Sequence, residues 1–123
     1  MVGARAEVTS ACLVVDVGTA VTIDALDKDG VHLGGQIIPG VDTMLSSLST
    51  ATSDIPAVKA AATPSSGDLK MFGRNTAAAV RAGAYNALAG AVDRAFQSLK
   101  SHSRGPVIIL TGGGASRILG ALA

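Results

Sequence analysis

Apolar positions along this chain fall into short blocks separated by glycine-rich and charged breaks. The first block, Ala11-Cys12-Leu13-Val14-Val15, is apolar at every position and runs into Asp16-Val17-Gly18-Thr19. That is the pattern of a buried strand entering a turn. Ala20–Leu26 alternates well enough for a second strand, and Asp27-Lys28-Asp29-Gly30 predicts a hairpin turn with Gly30 at positive φ. Val31–Ile38 reads as a third strand, interrupted by Gly34-Gly35 and closed by Pro39-Gly40. The three strands form an antiparallel meander.

The period then changes. Apolar residues at 41, 44, 45 and 48 have the spacing of a short amphipathic helix. Residues 49–70 are rich in Ser, Thr, Ala and Pro and read as a loop with broken helical pieces. From Thr76 to about Lys100, apolar residues at 80, 84, 88, 91, 92, 95, 96 and 99 make a long helical stripe, with Asn75 or Thr76 as the N-cap. Gly83, Ala87 and Gly90 line up on that helix as a small-residue groove that another helix could approach closely. Pro106–Leu110 predicts another buried strand, which runs into Thr111-Gly112-Gly113-Gly114 and a helix over Ala115–Leu122. The order β-β-β-α-α-β-α is an α/β fold with α+β character.

Composition narrows the function. The 123 residues are 48% hydrophobic and 15% charged, which excludes a disordered tail. A net charge of +1 lacks the footprint of a phosphate-backbone binder, so direct nucleic-acid binding is not expected. No apolar run approaches the roughly 18 residues of a membrane span, and the N-terminus lacks signal-peptide grammar. A cytoplasmic protein is expected. Cys12 is the one cysteine, so neither an internal disulfide nor a zinc cluster can form from it, and it reads as a small core residue. With two Phe, one Tyr and no Trp, the core is built from small aliphatics, a surface suited to burial against a partner.

Four segments can carry chemistry. In Asp16-Val17-Gly18-Thr19-Ala20, an acid at a strand end can hold a cation, a glycine opens backbone N–H groups to an anion, and a threonine adds a hydroxyl donor. A type I turn with an Asx hydrogen bond uses the same residues. Gly34-Gly35-Gln36-Ile37-Ile38-Pro39-Gly40 reads either as close approach by a ligand or backbone, or as a β-bulge with a Pro-Gly stop. Gly73-Arg74-Asn75-Thr76 places free N–H groups at a helix start, where Thr76 either meets an anion or caps the helix. The triple glycine Gly112-Gly113-Gly114 lets a flat ring or ribose lie on backbone, although no Gly-Lys-Ser/Thr of a P-loop follows it. Asp24, Asp42 and Asp54 are scattered acids without an assignment.

Taken together and in order, Leu-Val-Val-Asp-Val-Gly-Thr-Ala-Val-Thr-Ile-Asp, His-Leu-Gly-Gly-Gln-Ile-Ile-Pro-Gly, Phe-Gly-Arg-Asn-Thr and Ile-Ile-Leu-Thr-Gly-Gly closely resemble the type III pantothenate kinase family. The resemblance implies a ribonuclease-H-like domain of the acetate/sugar kinase–Hsp70–actin superfold, and ATP-dependent phosphorylation of pantothenate on the route to coenzyme A. It implies Mg-ATP and a monovalent cation, potassium or ammonium. Asp16 would match the family's cation-binding acid, and Thr19, with Gly18, its ATP contact. Gly112 and Gly113 fall in the nucleotide-side Thr-Gly-Gly, and Thr76 would match the threonine that contacts pantothenate. The family's homodimers place the substrate site at the subunit interface.

Only the C-terminal half of the family pattern is covered. The N-terminal domain with its Asp-x-Gly-Asn-Thr phosphate loop, and the Gly-x-Asp-Arg motif carrying the proposed catalytic base, are expected upstream of Met1; the family's last strand and helix are also missing. Residues 1–123 are therefore expected to form one C-terminal kinase domain, incomplete at both ends and inactive alone. Two alternatives stand beside this reading. One is a non-catalytic dimerisation or regulatory module of the Bvg accessory factor type, and the other is a kinase of the same superfold for another small alcohol.

Overall fold

The computed structural model describes residues 10–59 and 71–119. The elements are β1 (Cys12–Val17), β2 (Ala20–Leu26), β3 (His32–Pro39), α1 (Val41–Ala51), α2 (Thr76–Lys100), β4 (Val107–Thr111) and α3 (Ala115–Leu119). They form a mixed α/β fold around a four-stranded sheet of order β3-β2-β1-β4. β1–β2 and β2–β3 are antiparallel, as the meander requires, and β4 joins the far side of β1 in parallel. The predicted element order holds throughout, with boundaries shifted by a residue or so at the strands. Residues 1–9, residues 60–70 of the expected loop and the expected helical residues 120–122 lie outside the described residues.

Local chemistry accounts for the elements. At the β2–β3 hairpin, the Asp27 carboxylate accepts N–H bonds from Asp29 and Val31, both at 2.9 Å, and Gly30 takes φ 82°. The paired glycines in β3 are the bulge reading. The register slips between Ala25 and Leu26, Gly34 has φ 134°, and a side chain on Gly35 would run into Asp24 and the Ile23 carbonyl. α2 starts where Asn75 Oδ1 accepts the Ala78 N–H at 2.8 Å, so Asn75 is the cap and Thr76 the first helical residue. Its 25 residues make a rod roughly 37 Å long.

Strand alternation sorts β1 onto two buried faces. Leu13, Val15 and Val17 enter the main core with Val21 and Ile23, packed by Leu45 of α1, by Val80, Tyr85, Leu88 and Val92 of α2 and by Ile118 of α3. Cys12 and Val14 face the other way, in a smaller cluster with Leu26 and Ile109. Cys12 is fully buried, as a small core residue should be. Asp16 is the one exposed residue of the strand. By contrast β3, at the edge, is exposed along nearly its whole length, with Ile37 at 78%.

The predicted stripe on α2 runs along the buried face but omits Ala82, Tyr85 and Ala89, and its Ala91, Ala95 and Phe96 are only partly buried; Tyr85 is among the largest fully buried side chains. Among the described residues its hydroxyl has no hydrogen-bond partner. Gly83, Ala87 and Gly90 lie on the exposed side, with open space where a Cβ of either glycine would sit. Removing the packing at the core centre and removing the orphan hydroxyl should therefore act in opposite directions. Leu88→Ala is expected to cost about 2–5 kcal/mol in chemical denaturation. Tyr85→Phe should leave stability unchanged or raise it, since no protein partner is lost.

Candidate functional site

The sheet brings three loops to one edge. β1, β3 and β4 all end there, and the β1–β2 turn lies there too, because Ala20 pairs with Pro39 and Asp16 with Thr111. The turn is tight: Gly18 N–H donates to the Ala20 carbonyl at 3.0 Å. The Thr19 carbonyl accepts the Gly40 N–H at 2.8 Å and the Thr43 hydroxyl at 3.1 Å. Gly40 can come this close only because it lacks a Cβ, which would collide with the Gly18 and Thr19 carbonyls. On the other flank Gly114 N–H donates to the Val17 carbonyl at 2.9 Å.

Between these loops lies a cleft of about 260 Å³, lined by Gly18, Thr19, Asp42, Thr43, Gly113 and Gly114 over a floor of Val17, Val41 and Ile118. Its donors are a threonine hydroxyl pair and glycine backbone, and the N-terminal end of the eleven-residue α1, the positive end of its dipole, borders it. Backbone without side chains, hydroxyls and a helix start form a surface to which a phosphate oxygen can be hydrogen-bonded. One acid, Asp42, stands in its wall. A polyphosphate among these donors would lie beside the Asp42 carboxylate, so the lining would suit one that carries a cation better than a bare anion.

The expected site residues divide into three places. Gly18, Thr19 and Gly113 line the cleft. Asp16 lies on the opposite sheet face by strand alternation, in register between Thr22 and Thr111, exposed rather than inside the cleft. Gly112 joins the two: with φ 94°, it packs against the backbone of Val17 and the Asp16 carboxylate, and a Cβ there would fall 2.5–2.6 Å from these atoms. Thr76 is elsewhere, in a groove of about 510 Å³ between α1 and α2 lined by Met44, Leu48, Ile55, Ala79, Val80 and Gly83, among others. Gly114 was expected only as part of the triple glycine, whereas Asp42, noted without a role, and Thr43, not noted, were not expected at the site. Their signal is the register that joins Pro39-Gly40 to the β1–β2 turn, which puts the first turn of the next helix beside Thr19.

The family model described as type III pantothenate kinase matches residues 1–98. The type III pantothenate kinase of Nitrosomonas eutropha is 40% identical over 119 residues, covering 94% of this chain and 44% of that protein. That of an Azoarcus species is 42% identical over 117 residues, covering 95% and 41%. The chain thus spans less than half the length of these curated relatives. Among solved structures, a conserved Campylobacter jejuni protein described as a Baf family transcriptional activator superposes with a TM-score of 0.62. It is 22% identical and is covered over 95% of this chain and 50% of its own, a likeness that shows the fold.

The two glycines of the loop should respond differently to substitution. Gly112→Ala meets both a positive φ and the Val17 backbone, and a loss of about 2 kcal/mol or more is expected in thermal or chemical unfolding. Gly113→Ala has open space at its Cβ, so its effect on stability should stay within about 1 kcal/mol while it narrows the cleft.

Proposed function

The chain belongs to the type III pantothenate kinase family, and on that premise we propose that it forms the C-terminal part of an enzyme that phosphorylates pantothenate with ATP. The observation that carries this reading is the cleft itself, in which Gly18, Thr19 and Gly113 meet at the ends of β1 and β4. In this reading the Thr19 hydroxyl and the backbone around Gly18 hold phosphate oxygens of the nucleotide. Gly112 and Gly113 leave backbone bare for its nucleoside, and Asp16 holds a monovalent cation near the phosphates. Magnesium, when bound, supplies charge neutralisation on the transferring phosphoryl group. Thr76, in the groove between α1 and α2, orients pantothenate.

The sheet order β3-β2-β1-β4, an antiparallel meander with a parallel fourth strand, supports assignment to the ribonuclease-H-like domains of the acetate/sugar kinase–Hsp70–actin superfold. In that architecture a second domain closes over the nucleotide. The base that takes the proton of the pantothenate hydroxyl belongs, in this reading, to the Gly-x-Asp-Arg motif expected upstream of Met1. Residues 1–123 alone are accordingly inactive, since phosphoryl transfer needs phosphate loop, base and acceptor site in one geometry. A cytoplasmic homodimer completes the proposal. The exposed Gly83, Ala87 and Gly90 on α2 offer a surface for close helix contact, and among the described residues no helix is long and apolar enough to cross a membrane.

The complete open reading frame that encodes this sequence should release ADP only when pantothenate is present, and faster with potassium than with sodium. In that protein Asp16→Asn should abolish most of the potassium stimulation. ADP release indifferent to pantothenate would point to another small alcohol, and pantothenate binding without turnover to a regulatory module. A potassium response unchanged by Asp16→Asn would remove Asp16 from the cation site.

A further inference from the structure

We infer that Thr43 is a positioning residue for the nucleotide, acting through the carbonyl of Thr19 rather than by catalysing transfer; the inference rests on the kinase reading of the cleft. The β1–β2 connection is two residues, Gly18 and Thr19, and the Thr19 carbonyl stands at its end. That carbonyl is held by two donors at the start of α1, the N–H of the capping residue Gly40 at 2.8 Å and the Thr43 hydroxyl at 3.1 Å. The backbone donor fixes where the turn meets the helix. The hydroxyl donor comes from one helical turn further along and fixes the tilt of the same peptide plane.

The second anchor is specific to position 43. Thr43 is half-buried and lines the cleft next to Thr19 and Asp42, so its side chain lies where the turn can shift toward or away from a ligand. The β-branch restricts its rotamers, which lets one hydroxyl serve as a rigid strut. Holding the Thr19 carbonyl fixes the Thr19–Ala20 peptide plane and with it ψ of Thr19; releasing it lets the Thr19 Cα shift, with its hydroxyl and the preceding Gly18–Thr19 peptide, the groups that the kinase reading places against phosphate. Thr76 and the groove between α1 and α2 do not share this contact, so the acceptor site should be insulated from it.

The test compares Thr43→Val, which keeps the shape and removes the hydroxyl, with Thr43→Ser, which keeps the hydroxyl. Both are made in the complete reading frame and titrated with Mg-ADP by calorimetry, alongside KM for ATP and for pantothenate and the melting temperature without ligand. Thr43→Val should weaken Mg-ADP binding and raise KM for ATP about three- to tenfold, the factor one ordinary hydrogen bond represents. KM for pantothenate should stay unchanged, and Thr43→Ser should restore nucleotide affinity to within about twofold of the parent. Equal Mg-ADP affinity in parent and Thr43→Val would overturn the inference. So would parallel losses for both substrates with a fallen melting temperature, the signature of a merely structural role. A parent that binds Mg-ADP without consuming pantothenate would sink the kinase reading alone, because the affinity comparison between variants still decides the role of Thr43.

Discussion

The cleft depends first on the parallel pairing of β1 with β4. Strands 12–17 and 107–111 are separated by most of the chain, yet their register sets Asp16 opposite Thr111 and so delivers Gly112-Gly113-Gly114 to the end of β1. A parallel pair needs a long crossover, and α1 and α2 supply it on the core face of the sheet. Their buried aliphatics stabilise the crossover, while the loop lies against Val17 through glycine alone. A Cβ at 112 or 114 would run into Val17, so packing against β1 by itself already requires glycine at those two positions. Gly113 is the exception, with open space above it.

The same strand explains why the chemistry divides between two sides. β1 is buried on both faces from Cys12 to Val15, and it can carry a charged residue only where the sheet ends. At position 16 alternation sends the carboxylate to the face away from α2, and the chain then turns over Gly18 to bring Thr19 to the cleft. One pentapeptide thereby serves an exposed sheet face and a cleft together. A group held by Asp16 and one held at Thr19 would thus approach from different directions.

Much of this was legible in the residues. Periodicities of 2 and 3.6 changed where the elements changed, and the cap at Asn75, the turn at Gly30 and the bulge at Gly34-Gly35 rest on local rules that neighbours obey without tertiary help. The grouping of Gly18, Thr19 and Gly113 was legible only as motif order, because spatial proximity depends on strand register over a long separation. Asp42 and Thr43 were invisible for the same reason: a first-turn acid and hydroxyl look like ordinary helix-start residues until Gly40 is seen against Thr19. Tyr85 escaped the apolar stripe because its polar tip disguises a ring that is fully buried. The position of Thr76 in a separate groove was equally hidden, since it follows from how α1 packs across the start of α2.

The most direct measurement is a crystal structure of the complete reading frame with a non-hydrolysable ATP analogue and magnesium. The phosphates should lie against Gly18 and Thr19, with the nucleoside over Gly112-Gly113 and a cation at Asp16. A nucleotide bound away from the ends of β1 and β4, or a cleft filled by the protein's own side chains, would show that this junction is a structural joint and that the family's chemistry is not performed there.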